Sequence, residues 1–276
     1  MKILKSKILL VAVAVLMAAF AFAGCTQQQG GNETAEGDWE YISGKQKMVI
    51  GITYFAPMNY KDDNGELTGF ETEFAKAVCE KLGVEAEFIE IDWDAKETEL
   101  NSKNIDCIWN GMTITEEKKQ NMSVSDAYMA NKQVMVVKKG NEGKYISADA
   151  VKGASVVAEK GSAGEEVAQG DEFFKDAKYT AVDSQAKVLL EVKSGTAQIG
   201  VIDYVMSIGS IGEGTDYADL VVVDAQSFAD EEYGIAFRKD SNTTAKVNEA
   251  IKALAADGTL KTIAEKYKLQ DLLVVK

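Results

Sequence analysis

Asp106-Cys107-Ile108-Trp109-Asn110-Gly111-Met112-Thr113-Ile114-Thr115-Glu116-Glu117-Lys118-Lys119 is the stretch from which the rest of the chain can be read. The apolar run Ile105 to Trp109 predicts a buried strand, and the small polar residues after it predict a turn that caps a charged helix. Backbone N–H groups and hydroxyls collect at such a strand-to-helix junction. They favour an anion there, most simply a carboxylate.

Working outward, strand-like and helix-like patterns alternate. Met48-Val49-Ile50 reads as a strand. Thr68 reads as the N-cap of a helix that places Phe70, Phe74, Val78 and Leu82 on one face and ends at Gly83. Ala86 to Ile91 is a strand, Asp94 to Asn101 a helix, and Ile105 to Trp109 a strand. That βαβαβ order implies a parallel sheet covered by helices. A second series starts near Val134-Met135-Val136-Val137. It continues through Val156-Val157, a turn at Gly161-Ser162-Ala163-Gly164 with its helix, a helix over Ser184 to Ser194, and a buried strand from Gln198 to Ile202 that ends at Asp203. A strand over Leu220 to Val223, another over Tyr233 to Phe237 and two helices close the chain. Two similar α/β units predict two lobes with a cleft between them, and ligands in open α/β sheets sit beyond the C-terminal ends of strands.

Composition excludes several classes. The 276 residues contain no His, one Pro (Pro57) and one Arg (Arg238), and the formal net charge is −14. An acidic chain argues against nucleic acid and against an anionic membrane surface. Without His, catalytic triads and the common zinc sites lack their usual member, so neither a metal nor a cofactor is expected. No phosphate-binding Gly-x-x-x-x-Gly-Lys loop occurs. The acidic turn Asp62-Asp63-Asn64-Gly65 has Leu67 where a calcium loop needs Gly. Cys79 and Cys107 read as buried free thiols, although a disulfide is possible in an oxidising compartment.

The N-terminus reads as a targeting segment. Lys2, Lys5 and Lys7 precede an apolar run from Ile8 to Ala23, which is shorter than the ~20 residues of a membrane span. Phe22-Ala23-Gly24-Cys25 resembles a bacterial lipobox. The resemblance implies residues 1–24 as a lipoprotein signal peptide and a lipid anchor (diacylglycerol and palmitate) at Cys25; the alternative is a plain signal peptide with an incidental Cys. Thr26 to Asp38 is polar, and residues 25–40 are expected to form a flexible tether. The expected location is the outer face of the plasma membrane of a Gram-positive cell.

The opening stretch resembles the "G-x-T-x-T-x-x-R" segment of the periplasmic amino-acid-binding proteins, the extracellular solute-binding proteins of family 3. Further matches in order are Gly51 to Pro57, Leu67 to Glu71, Asp92-Trp93-Asp94, Ser125 to Tyr128, Gly161-Ser162 and Gly195 to Asp203. The resemblance runs from Trp39 to the C-terminus. It implies a two-lobed α/β fold of the type II periplasmic-binding-protein kind, with lobe I formed by 41–131 plus 228–276 and lobe II by 132–227. It also implies closure over an amino acid, delivery to an ABC transporter permease, and a monomer.

The resemblance further implies roles for particular residues. Gly111 and Thr113 would hold the ligand carboxylate, with Lys118 standing where the family has Arg. Lys is a point charge without the planar fork, so it holds a carboxylate less rigidly, or the ligand is held otherwise, or Lys118 is a solvated helix residue. Ser162 and Ala163 would add contacts from a helix start, or Ser162 is an ordinary N-cap. Asp203 would take the ammonium, or cap the helix after it. Phe55 and Trp93 would sandwich the ligand side chain, or belong to the core, and Asn110 would offer a polar contact. Tyr54 and Trp109 are weaker aromatic candidates, and Glu97 reads as a solvated helix face. Two rivals remain: a cleft enzyme like cyclohexadienyl dehydratase, with Glu97 and Lys118 as its acid–base suspects, and a sensor module that presents its ligand to a receptor.

Overall fold

A computed structural model describes residues 37–223, 226, 228 and 230–275. The signal segment, Cys25 and most of the expected tether lie outside these residues. The first helix, α1 (Asp38–Gly44), begins inside the segment expected to be tether. Asp38 is buried there because its carboxylate pairs with Arg238, 200 residues further on.

The first half then runs β1 (Lys47–Ile52), the short hairpin β2 (Tyr60–Lys61) and β3 (Leu67–Thr68), α2 (Phe70–Leu82), β4 (Glu85–Glu90), a 3-10 turn at Trp93–Ala95, α3 (Lys96–Asn101), β5 (Cys107–Thr113), α4 (Glu116–Asn121) and β6 (Ser123–Val124). β1 lies parallel between β4 and β5, as the βαβαβ order requires. The buried face of α2 packs Phe74 edge-on to Trp109, with ring centroids 5.0 Å apart. Its N-cap is Gly69 rather than Thr68. The backbone there has φ +121°, and a Cβ would fall 2.1 Å from the Met58 carbonyl oxygen, so only glycine fits.

β7 (Met129–Lys138) leads into the second half: α5 (Ala148–Val151), β8 (Ser155–Glu159), α6 (Ala163–Gly170), β9 (Lys178–Val182), α7 (Gln185–Ser194), β10 (Ile199–Asp203), α8 (Tyr204–Ser210) and β11 (Leu220–Val223). β12 (Asp230–Phe237), α9 (Thr243–Ala256) and α10 (Thr259–Lys266) return to the first half. Strand order is β4-β1-β5-β12-β7-β10-β8-β9. β8 pairs in parallel with β9 and β10.

The long strands β7 and β12 join the two sheets. They pair antiparallel from Asp230↔Lys132 to Tyr233↔Met129. β12 then continues along β5, and β7 continues along β10 and β11. The result is two α/β lobes on either side of a shared strand pair.

The expected turn at 110–113 is instead the end of strand β5. Pairing with β12 overrides the local turn signal, and the register shifts between Gly234 and Ala236. Gly111 sits opposite this irregularity with φ +58°. The helix cap falls on Thr115, whose hydroxyl accepts the Lys118 N–H at 3.1 Å. Cys79 and Cys107 are both buried and free, and burial pushes the Cys79 thiol up to about 12, which makes it inert as a nucleophile.

Candidate functional site

Strand ends from both lobes converge on one narrow cleft. Trp93, Asn110, Gly111, Thr113 and Lys118 line it from one side, and Glu159, Ser162, Ala163, Gln185 and Asp203 from the other. Contacts across the cleft hold the lobes together. The Lys96 ammonium donates to the carbonyls of Trp93 (3.1 Å) and Gly161 (3.0 Å). Lys160 pairs with Asp94 at 2.8 Å, and the Ser210 hydroxyl donates to the Ala56 carbonyl at 3.4 Å.

Asp203 is 5% exposed. It stands at the N-cap position of α8, yet its carboxylate caps nothing. Oδ1 accepts from Asn131 (2.7 Å) and Gln133 (2.6 Å), and Oδ2 accepts from Gln185. The same two amides of Asn131 and Gln133 also donate to Glu231 Oε2, at 3.0 and 3.2 Å. A buried and a half-buried carboxylate thus share two donors. Burial and the neighbouring Asp203 push Glu231 up to about 7, against the amides that lower it. Burial also raises Asp203, with the three amides opposing.

On the facing wall, the Lys118 ammonium donates to the Thr113 carbonyl at 3.0 Å, so it is directed to the cleft rather than to open solvent. Its neighbour Lys119 is exposed and pairs with Glu116. The Thr113 hydroxyl donates to Glu231 Oε2 at 3.0 Å. Ser162 has a structural part and a place on the cleft wall. It caps α6 through the Glu165 N–H at 3.1 Å, and with Ala163 it lines the cleft. Asn110 is committed at both ends, accepting from Asn59 (2.9 Å) and donating to the Thr53 hydroxyl (2.6 Å).

Two of the expected ligand contacts are engaged within the protein. The Gly111 N–H is not open to an anion, because it donates to Glu71 Oε1 at 2.8 Å. Glu71 is fully buried, with Asn59 and Tyr128 as its other donors, and burial pushes it up to about 7. Phe55 does not line the cleft. It is 3% exposed in the main core, held by paired backbone bonds to Asn59, with its ring edge against Gly111. Trp93 does line the cleft, and the Lys96 ammonium lies 4.9 Å from its ring centroid. Trp109 points into the core and Tyr54 lies under Lys61.

Glu159, Gln185 and Lys96 are site residues that the sequence alone does not single out. Glu159 ends an apolar strand just as Asp203 does, so the same signal is present. It is 3% exposed, and burial followed by the Asp203 charge pushes it up to about 8.

Glu71, Glu159 and Glu231 all sit above the ordinary carboxylate value of 4.5 in the folded chain. The folded form therefore holds extra protons, and the stability they represent is full below about pH 4 and lost as pH rises through 7 to 8. Calorimetry of the unliganded chain should show a melt lower at pH 9 than at pH 5 by on the order of 5 °C. An equal or higher melt at pH 9 would contradict these assignments.

Two α/β lobes joined by a strand pair and closed over a polar cleft define a two-lobed binding protein. Residues 48–270 match the bacterial extracellular solute-binding proteins, family 3, and the chain belongs to that family. It is 31% identical over 265 residues to the arginine-binding extracellular protein ArtP of Bacillus subtilis (strain 168), covering 94% of this chain and 96% of that one. It is 30% identical over 234 residues to the L-cystine-binding protein TcyJ of Escherichia coli (strain K12), covering 84% and 86%. Among solved structures it resembles an ancestral amino acid-binding protein, a precursor of cyclohexadienyl dehydratase, at 33% identity and a TM-score of 0.74, covering 83% and 98%. The fold is the type II two-lobed architecture of these amino-acid-binding proteins.

Proposed function

We propose that this chain captures an amino acid outside the plasma membrane and delivers it to the permease of an ABC importer. One observation carries the reading: a buried acid, Asp203, and a directed ammonium, Lys118, line opposite walls of one closed cleft. An α-amino acid presents the complementary pair, an ammonium for Asp203 and a carboxylate for Lys118 and the α6 N-terminus. Ligand bridging both walls favours the closed state by its differential affinity. The chain works as a monomer held by a lipid at Cys25, with lobe I formed by 41–131 and 228–276 and lobe II by 132–227.

The activity is binding, not turnover. Glu97, the carboxyl suspected from sequence, is not among the cleft-lining residues. Glu159 is a proton-bearing carboxyl in the cleft, so the enzymatic rival is tested directly with prephenate and arogenate. Consumption of either would overturn the binding-only reading.

A thermal-shift screen of the amino acids tests the proposal, because a ligand that binds only the folded chain raises its melt. No shift with any of them would refute it. Lys118→Arg is expected to preserve or tighten binding, whereas Lys118→Met weakens it about tenfold or more, as loss of a charge-assisted hydrogen bond requires. Complete loss in the Arg variant would remove Lys118 from the carboxylate clamp.

A further inference from the structure

Glu159 is the one cleft-lining ionisable group that the proposed ligand backbone leaves unanswered. The cleft walls carry Asp203, Glu159 and Lys118 as ionisable groups. The ligand ammonium answers Asp203 and the ligand carboxylate answers Lys118. Nothing in a neutral amino acid answers Glu159, which is 3% exposed and whose Oε1 has no hydrogen-bond partner. A buried carboxylate without a partner is costly, and a site that tolerates one holds it for a group that arrives later. Lys96, the nearest cation by its effect on Glu159, is already committed to the carbonyls of Trp93 and Gly161 and lies over the Trp93 ring.

We infer that Glu159 is a specificity-determining residue that accepts a second positive charge on the ligand, making the preferred ligand a basic amino acid with an ammonium or guanidinium side chain. The inference rests on the binding reading above and names the ligand class of that same cleft. Glu159 sits at the end of β8, two residues before the Gly161-Ser162 turn, so it faces the cleft from the lobe that carries Asp203. Once Glu159 is ionised, two carboxylates on one wall and one lysine on the other leave the lining short of a single positive charge, which a basic side chain supplies.

The titration of Glu159 gives a second handle. Burial, then Asp203, holds its carboxyl up near 8, Lys96 opposes and Asp92 adds to the rise. At neutral pH a cationic side chain must therefore displace a proton from Glu159, and a neutral side chain of the same shape need not.

Calorimetric titration with two isosteric pairs tests this: arginine against citrulline, and lysine against 2-aminoheptanoic acid. The cationic member of at least one pair should bind about tenfold or more tighter to the parent chain, the gain of a charge-assisted hydrogen bond. Glu159→Gln should collapse that preference by about tenfold or more. In buffers of differing ionisation enthalpy at pH 7, the cationic ligand should release more protons than its neutral twin, and the excess should vanish in Glu159→Gln. A preference unchanged in Glu159→Gln, or neutral members bound as tightly by the parent, would overturn the inference while leaving the amino-acid reading intact. Absence of any amino-acid binding by the folded parent would instead overturn the reading beneath it.

Discussion

The Asp203→Asn protein is expected to melt within about 3 °C of the parent, while no amino acid raises that melt at concentrations that saturate the parent. Two effects on folding oppose each other. Removing a buried charge relieves the desolvation that raises the Asp203 carboxyl. Against that, the new amide turns a donor toward the Gln185 side chain, which donates to Oδ2 and is pinned by accepting the Asp203 N–H at 3.0 Å. One mismatched contact of that kind costs about 1 kcal/mol. Binding has no such offset. Truncating one partner of a buried charge pair costs about 2–5 kcal/mol, a loss of roughly thirtyfold to several thousandfold. Retention of the parent's thermal shift in Asp203→Asn would remove Asp203 from the ammonium site.

Arg238→Met should lower the melt by about 10 °C or more, with ligand affinity at 25 °C unchanged. The chain's only arginine is spent on architecture. Its guanidinium, 8% exposed, pairs with Asp38 (2.6 Å) and Asp106 (3.2 Å) and donates to the carbonyls of Ile105 (2.7 Å) and Leu100 (3.3 Å). Removing it leaves the buried Asp38 without its cation and Asp106 with Lys45 alone. Breaking a buried pair by deleting one partner costs about 3–5 kcal/mol, and each kcal/mol moves a domain of this size by about 2–4 °C. Lys at 238 should restore only part of the loss, since it lacks the planar fork that reaches two acids and two carbonyls at once. A melt that falls by no more than about 2–3 °C, roughly the weight of a surface pair, would show that the clamp is not structural.

Where hydrophobic period and strand-end position carry the signal, the sequence is legible. The alternation of strands and helices predicts the α/β lobes, and Asp203 stands out at the end of Ile199-Gly200-Val201-Ile202. What escapes depends on partners far along the chain. Asp38 is buried because Arg238 and Ser241, far along the chain, hold its carboxylate. Asn110-Gly111 has turn chemistry, but pairing with β12 keeps it in a strand. Gly111 resembles part of a carboxylate-holding turn, but Glu71, forty residues earlier, takes its N–H. Phe55 sits where a sandwiching ring is expected, and local bonds to Asn59 fold it into the core. Glu159 has the same strand-end signature as Asp203 and is not singled out, because nothing local says which wall of a cleft a strand will face.

Asn131 and Gln133 lie on β7 and Glu231 on β12, the two strands that pair where the lobes meet. The like-charged couple of Asp203 and Glu231 is therefore fastened at the fulcrum of the molecule and not at the tips of its jaws. On the proposed closure of the lobes, a cation arriving there would discharge a repulsion where rotation moves atoms least, and the lever arms of the two lobes would enlarge the response at their outer rims. On the proposed delivery to a permease, a transporter gripping those rims would feel occupancy as displacement without ever touching the cargo.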